Sequence, residues 1–77
     1  MNKFFISGHA RHRMIVRKVS VKMIKDTILK SESTGVVYFG RLLAFKYFPG
    51  GLLKVVYVIK GKTYFIISVI WANKKQK

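Results

Sequence analysis

The spacing of apolar residues predicts two short helices near the start of this chain. In residues 21–31 the apolar side chains recur at three- and four-residue intervals, which places them on one face of a helix. Residues 9–17 contain no Gly or Pro and predict a shorter helix before it. Ser7 lies two residues before the first segment and Ser20 lies directly before the second. At such positions a serine hydroxyl can accept a hydrogen bond from a free backbone N–H group. Both serines are therefore predicted N-caps.

After Gly35 the pattern becomes one of strands. The residues there are mostly β-branched and aromatic, and turn residues separate the runs. Gly61-Lys62 predicts a two-residue hairpin turn and residues 49–51 predict a second turn, whereas Gly40 either divides two strands or marks a bulge in one. A loop is predicted at 31–35, and a short apolar run at 4–6 is a candidate first strand. The main strands are predicted at residues 36–39, 41–48, 52–60 and 63–71.

This order predicts an α+β fold in which two short N-terminal helices pack on a three- to four-stranded antiparallel sheet. The short strand at 4–6 is an optional addition to that sheet. The 77 residues form a single domain, 1–77, and residues 72–77 are predicted to be a flexible basic tail.

Both faces of the predicted sheet carry large apolar side chains, although helices can cover only one of them. One alternative is a strongly coiled sheet wrapped around its own core. The other is a second apolar face that is buried by a partner protein or by a second copy of the chain. In the last strand Phe65, Ile67, Val69 and Trp71 alternate with Tyr64, Ile66, Ser68 and Ile70.

The charge of the chain restricts its partners and its chemistry. Sixteen Lys and Arg face only two acids, Asp26 and Glu32, so the formal net charge is +14. Such a chain favours a polyanionic partner, and RNA is the favoured one. Two acids, two histidines and no cysteine are too few for a carboxylate-rich or thiolate metal site, so no metal or cofactor is expected. No apolar run is long enough to span a membrane, and a cytoplasmic location is expected.

The first predicted helix carries the one candidate catalytic group of the sequence. His9 and Arg13 share a helix face, Arg17 follows slightly offset one turn later, and Arg11 and His12 point elsewhere. A neutral imidazole beside guanidinium groups is suited to taking a proton from a ribose 2′-hydroxyl while Arg stabilises the phosphate. The structural alternatives are a histidine that only caps or packs and a row of arginines that only faces solvent.

A second set of basic and aromatic residues lies in or beside the predicted strands. Such residues on one sheet surface can hold phosphates and stack on bases. The alternative is that the aromatic rings belong to the core and that the lysines extend along strand edges. With Arg17, the predicted nucleic-acid-binding residues are Arg41, Lys46, Lys54 and Tyr57.

The helix motif resembles a family of small uncharacterised bacterial and phage proteins that carry a domain of unknown function, and the chain is in this sense DUF4258-like. The family's His-Ala-x-x-Arg-Met motif occurs here at residues 9–14, and Arg17 and Val19-Ser20 follow where the family often has Arg and Ile-Ser. Residues 53–56 and 67–71 resemble its central and last strands. One departure is the charge of the second helix, since family members usually carry more acids there.

That family looks related to the BrnT and RelE/ParE-type toxins, which share a small fold of two helices and a sheet. The resemblance implies a metal-independent endoribonuclease, ribosome-dependent or free, with His9 and Arg13 in the catalytic roles and an antitoxin as inhibitor. The second apolar sheet face would suit that antitoxin or a homodimer. The alternative function is a non-catalytic nucleic-acid-binding or protein-interaction module of phage or plasmid type.

Overall fold

The computed structural model of the chain describes residues 3–36 and 40–74, and these form two helices and five strands. Residues 37–39 of the predicted strand at 36–39 and residues 75–77 of the predicted tail lie outside the described residues. The elements are β1 (Lys3–Ile6), α1 (Gly8–Arg17), α2 (Val21–Leu29), β2 (Ser33–Val36), β3 (Leu42–Phe48), β4 (Gly51–Lys60) and β5 (Thr63–Lys74).

Both predicted helix caps are confirmed. The Ser7 hydroxyl accepts a hydrogen bond from the Ala10 N–H at 3.1 Å, and the Ser20 hydroxyl accepts one from the Met23 N–H at 3.2 Å. Helix α1 ends because Lys18 adopts a left-handed conformation, with φ of 57°, that turns the chain toward α2. Each serine satisfies a backbone donor that the first turn of its helix leaves free.

The sheet has five strands in the order β1-β5-β4-β3-β2 and is mixed. The neighbours among β2, β3, β4 and β5 are antiparallel, but β1 runs parallel to β5. The predicted α+β fold is confirmed, and β2 to β5 form its antiparallel part, but the sheet as a whole is five-stranded and mixed, so the prediction of three to four antiparallel strands is only roughly matched. The optional N-terminal strand is confirmed as β1, which takes an edge position.

Two segments of the sheet differ from the sequence prediction. Residues 33–36, of which 33–35 belong to the predicted loop, form edge strand β2 because they pair with residues 42–45 of β3. Strand β5 continues to Lys74, so residues 72–74 of the predicted tail belong to the sheet. Gly40 has a φ of +74° and lies between β2 and β3, so it divides two strands.

The core lies between the two helices and one face of the sheet. Ala10 and Met14 of α1 and Ile24 of α2 are buried against the central strands. The sheet contributes side chains from β3, β4 and β5, and the largest that are fully buried are Leu53, Val55, Ile66 and Val69. At about 25 cal/mol per Å² of apolar surface, removal of these side chains from water is the main force that holds the helices on the sheet.

A register shift in β5 explains why that strand looks apolar on both faces. Val56 pairs with Ser68 and Tyr57 pairs with Ile66, so Ile67 has no partner on β4 and forms a bulge. Because one residue is inserted, Ile66 and Val69 both face the helices. Side chains therefore alternate between the two faces of the sheet before Ile67 and again after it, but the alternation is shifted by one residue at Ile67.

The opposite face of the sheet has no described helix against it. Its side chains are half-buried or exposed, and Phe5 and Tyr47 each expose 57 % of their surface. The structure thus has an open apolar face, which we define by three cross-strand rows: Phe5–Phe65–Val58, Leu43–Val56–Ser68 and Phe45–Lys54–Ile70. Among the described residues, neither helix is long and apolar enough to cross a membrane.

Candidate nucleic-acid interface

His9 and Arg13 are brought together on α1 as the sequence predicted. They lie one helical turn apart, and the Arg13 Nε–H donates a hydrogen bond to the His9 Nε2 atom at 3.5 Å. His9 is exposed and Arg13 is half-buried, so the pair lies at the protein surface. The Ser7 cap fixes the first turn of α1 and with it the position of His9.

In this hydrogen bond the His9 Nε2 atom is the acceptor. The contact is long for an N–H···N bond and is exposed to water, so it is easily exchanged for another partner. An anion that binds Arg13 would leave the Nε2 lone pair open to accept a proton from elsewhere.

Arg17 is placed differently from the other two residues of this helix face. It is half-buried, and its Nη1 atom is buried without a hydrogen-bond partner among the described residues. Its backbone carbonyl accepts a hydrogen bond from the Trp71 indole Nε1 at 3.0 Å. The guanidinium is thus directed toward the protein more than toward solvent, which makes it a weaker candidate for phosphate than Arg13.

Lys46 is engaged within the protein. Its Nζ lies 3.7 Å from a carboxylate oxygen of Glu32 and 5.8 Å from the centre of the Phe48 ring. Glu32 also accepts a hydrogen bond from the Tyr47 N–H at 3.3 Å and donates its own N–H to the Phe45 carbonyl at 2.8 Å. These contacts attach the start of β2 to β3, so Lys46 has a structural role.

Lys54 and Tyr57 lie on opposite faces of β4. Lys54 is on the open apolar face, in the row Phe45–Lys54–Ile70, whereas Tyr57 faces the helices and exposes only 7 % of its surface. The Tyr57 ring lies 5.9 Å from the Tyr64 ring, and burial, with a smaller contribution from Tyr64, raises the pKa of the Tyr57 hydroxyl. The alternative that Tyr57 belongs to the core is correct, and its buried ring cannot stack on a base.

The predicted nucleic-acid residues therefore do not form one surface. Arg13 and Arg17 lie on α1, Lys46 faces the helix side of β3, Lys54 lies on the open apolar face, and Arg41 is exposed before β3. Only His9 and Arg13 are in contact with each other.

A second basic region was missed by the sequence analysis. Lys3, Arg11 and Lys25 line a groove of about 560 Å³ beside β1, together with Phe4, Phe5, Ile6 and Val21. The Lys25 Nζ lies 5.5 Å from the centre of the Phe4 ring. The three cations come from three separate elements, so their proximity follows from the edge position of β1 and leaves no local pattern in the sequence.

The donor atoms of the chain do not assemble a metal site in the part that the structure describes. No group of three or more His, Asp or Glu side chains comes together among those residues. Each of the two acids has a lysine beside it, Asp26 with Lys22 at 3.6 Å and Glu32 with Lys46.

A family model described as Domain of unknown function (DUF4258) matches residues 6–71. The chain belongs to this family. The match begins in β1 and ends in β5, so the DUF4258 domain includes both helices, the His9–Arg13 pair and most of the sheet. Comparison with curated proteins found no match, and comparison with solved structures found none either.

Proposed function

We propose that this DUF4258 protein binds RNA through α1 and cleaves it in a metal-independent reaction in the cytoplasm, in the manner of toxins of toxin–antitoxin pairs. The observation that carries the proposal is the contact between the His9 ring and Arg13 on an exposed helix face. The net charge of +14 supports a polyanionic substrate. The resemblance to the BrnT and RelE/ParE-type toxins supports the choice of reaction.

The geometry suggests an order of events at the His9–Arg13 pair. A phosphate of the bound RNA takes the Arg13 guanidinium, because an arginine–phosphate pair joins opposite charges and can form two parallel hydrogen bonds. His9 Nε2 then accepts the proton of the neighbouring ribose 2′-hydroxyl. The resulting oxyanion attacks the phosphorus atom and the bond to the 5′-oxygen breaks, so that a 2′,3′-cyclic phosphate forms and the 5′-oxygen leaves as a hydroxyl with a proton from water. Arg13 stabilises the additional negative charge on the phosphate oxygens.

The test is a cleavage gel with labelled total RNA in EDTA. The wild-type protein should cleave the RNA, and His9→Ala should abolish cleavage while RNA binding stays within about twofold, because one exposed side chain contributes little to the binding of a chain with a net charge of +14. His12→Ala is the matched control, since His12 is an exposed histidine of the same helix on another face. It should cleave like the wild type. Equal loss of cleavage in both histidine variants would argue against His9 as the base.

Intact RNA with the wild-type protein would exclude cleavage of free RNA. The same variants would then be added to translating ribosomes, where a ribosome-dependent enzyme should stall translation and the His9→Ala variant should not. Binding without cleavage in both assays would leave a non-catalytic RNA-binding module and would contradict the catalytic half of the proposal.

The open apolar face favours a second candidate function, in which the protein is an interaction module that docks an acidic protein such as an antitoxin. Lys54 is half-buried on the middle strand of this face, and neither of the chain's two acids is paired with it. A second copy would bring two Lys54 side chains toward each other, whereas an acidic partner would neutralise the charge. We therefore favour an acidic partner over a homodimer.

Sedimentation of the purified protein distinguishes these occupants. A monomer at micromolar concentration would support a different protein, and not a second copy, as the partner that binds the open apolar face. A dimer that Phe45→Glu dissociates would instead show that a second copy covers the face. Phe45 is suited to this test because it is half-buried in the row that contains Lys54.

A further inference from the structure

Among the strands that the structure describes, β1 has a neighbour on one side only, so its other edge is free. The N–H groups of Lys3 and Ser7 donate to the carbonyls of Lys62 and Ile66 beside it, at 3.0 and 3.3 Å. Because successive residues of a strand direct their backbone groups to opposite sides, the N–H and C=O groups of Phe4 and Ile6 point away from β5. Strand β1 is the first in the sheet order, so these four groups face the free edge.

The groove beside this edge is positively charged. Lys3 from β1, Arg11 from α1 and Lys25 from α2 line it, and neither acid of the chain is among its lining residues. Arg11 and Lys25 are both exposed. Unpaired backbone groups and an uncompensated cluster of cations thus occur at the same place, although they arise from different elements.

From this coincidence we propose that the edge of β1 is a docking site for an acidic, extended segment of a partner protein, which adds a sixth strand to the sheet. The backbone of the segment would satisfy the N–H and C=O groups of Phe4 and Ile6, as in other cases of strand addition. Its acidic side chains on the helix side would meet Arg11 and Lys25. Its apolar side chains on the other side would cover Phe5, which is 57 % exposed.

Two other occupants of the groove are a second copy of the chain and RNA, and both fit it less well. A second copy of this chain would bring its own excess of cations to the same edge, and its two acids already have lysine partners. Lysine on an edge strand commonly prevents pairing with like chains, and here Lys3 has that effect. RNA matches the charge, but its phosphates offer no N–H donors to the free carbonyls of Phe4 and Ile6. This proposal is independent of the RNA cleavage proposed for α1.

The test uses a short synthetic peptide of alternating glutamate and valine with blocked ends, titrated into the full-length protein. Backbone amide exchange is followed by NMR. At a peptide concentration of about ten times Kd, the Phe4 and Ile6 amides should exchange about tenfold more slowly. A peptide that is N-methylated at the residues facing β1 has the same charge and should not slow that exchange.

Substitutions in the groove test its charge. Arg11→Gln and Lys25→Gln should each weaken peptide binding about two- to fivefold, because each removes one exposed charge partner. Lys22→Gln is the matched control, since Lys22 is an exposed lysine of α2 that does not line the groove. It should bind the peptide like the wild type. Thermal unfolding of each variant, followed by circular dichroism, checks that the fold is retained.

Three results would overturn the proposal. The N-methylated peptide could bind as well as the unmodified one, which would show attraction by charge alone. The Phe4 and Ile6 amides could be unaffected at saturation, which would place the peptide elsewhere. A single-stranded oligouridylate could protect those two amides when the peptide does not, which would make the groove an RNA site.

Discussion

The indole Nε1 of Trp71 donates a hydrogen bond to the carbonyl oxygen of Arg17 at 3.0 Å, across 54 residues of sequence. This carbonyl belongs to the last turn of α1, where backbone acceptors have no partner within the helix. The bond therefore joins the end of α1 to β5. Trp71 is also close to Gly50 in the β3–β4 turn, where an added Cβ would lie 3.3 Å from the ring.

Replacement of Trp71 by Phe should lower the free energy of unfolding by about 1–3 kcal/mol. The substitution leaves the Arg17 carbonyl without its donor and removes part of a large partly buried ring. Urea unfolding followed by circular dichroism measures the change, because Trp71 is the only tryptophan and its fluorescence is lost in the variant. An unchanged unfolding midpoint would show that the contact contributes nothing to stability.

The helices could be predicted from the sequence because their determinants are local. Ser7 and Ser20 act within one turn of their own helices, and the apolar spacing of α2 is visible within nine residues. Edge strand β2 was missed because it consists of Ser33–Val36, which has turn-like composition and is held by pairing with β3. The parallel pairing of β1 with β5 joins distant residues, and no local pattern specifies it.

The candidate site was predictable only where it is confined to one helix. The His9–Arg13 contact follows from the four-residue spacing of α1. The roles assigned to Lys46 and Tyr57 depend on which face each side chain takes and on what covers that face. Glu32, fifteen residues from Tyr47, determines the environment of Lys46, and helix packing determines that of Tyr57. Both require knowledge of the assembled sheet.

The buried Tyr57 hydroxyl should make stability decrease at alkaline pH. Burial raises the folded-state pKa above the unfolded value of about 10, so the unfolded chain loses this proton first. The contribution is fully present below about pH 10 and is lost as the pH rises through the folded pKa. Urea unfolding at a series of pH values should show a steeper decline above about pH 10 for the wild type than for Tyr57→Phe. Parallel curves for the two proteins would contradict the prediction.

Replacement of Arg17 by Met should leave the protein as stable as the wild type or make it more stable. The substitution keeps an unbranched apolar stem and removes a buried Nη1 that has no hydrogen-bond partner among the described residues. Arg13→Met is the matched comparison on the same helix, because Arg13 contacts His9. Thermal unfolding should therefore rank Arg17→Met at or above the wild type, and RNA cleavage should be lost only in Arg13→Met. A marked loss of stability in Arg17→Met would show that its guanidinium has a favourable partner after all.

The salt dependence of RNA binding should distinguish residues that touch phosphate from residues that only contribute charge. For single strands, log Kd changes with log salt by about 0.7 for each phosphate contact. Arg13→Gln should reduce that slope by about 0.7, because the proposed function assigns its guanidinium to one phosphate. Lys46→Gln should leave the slope unchanged, because Lys46 is already paired with Glu32. Fluorescence anisotropy with a labelled single-stranded RNA at several salt concentrations measures both. If the two variants reduce the slope equally, the binding surface includes the β2–β3 edge and is not centred on α1.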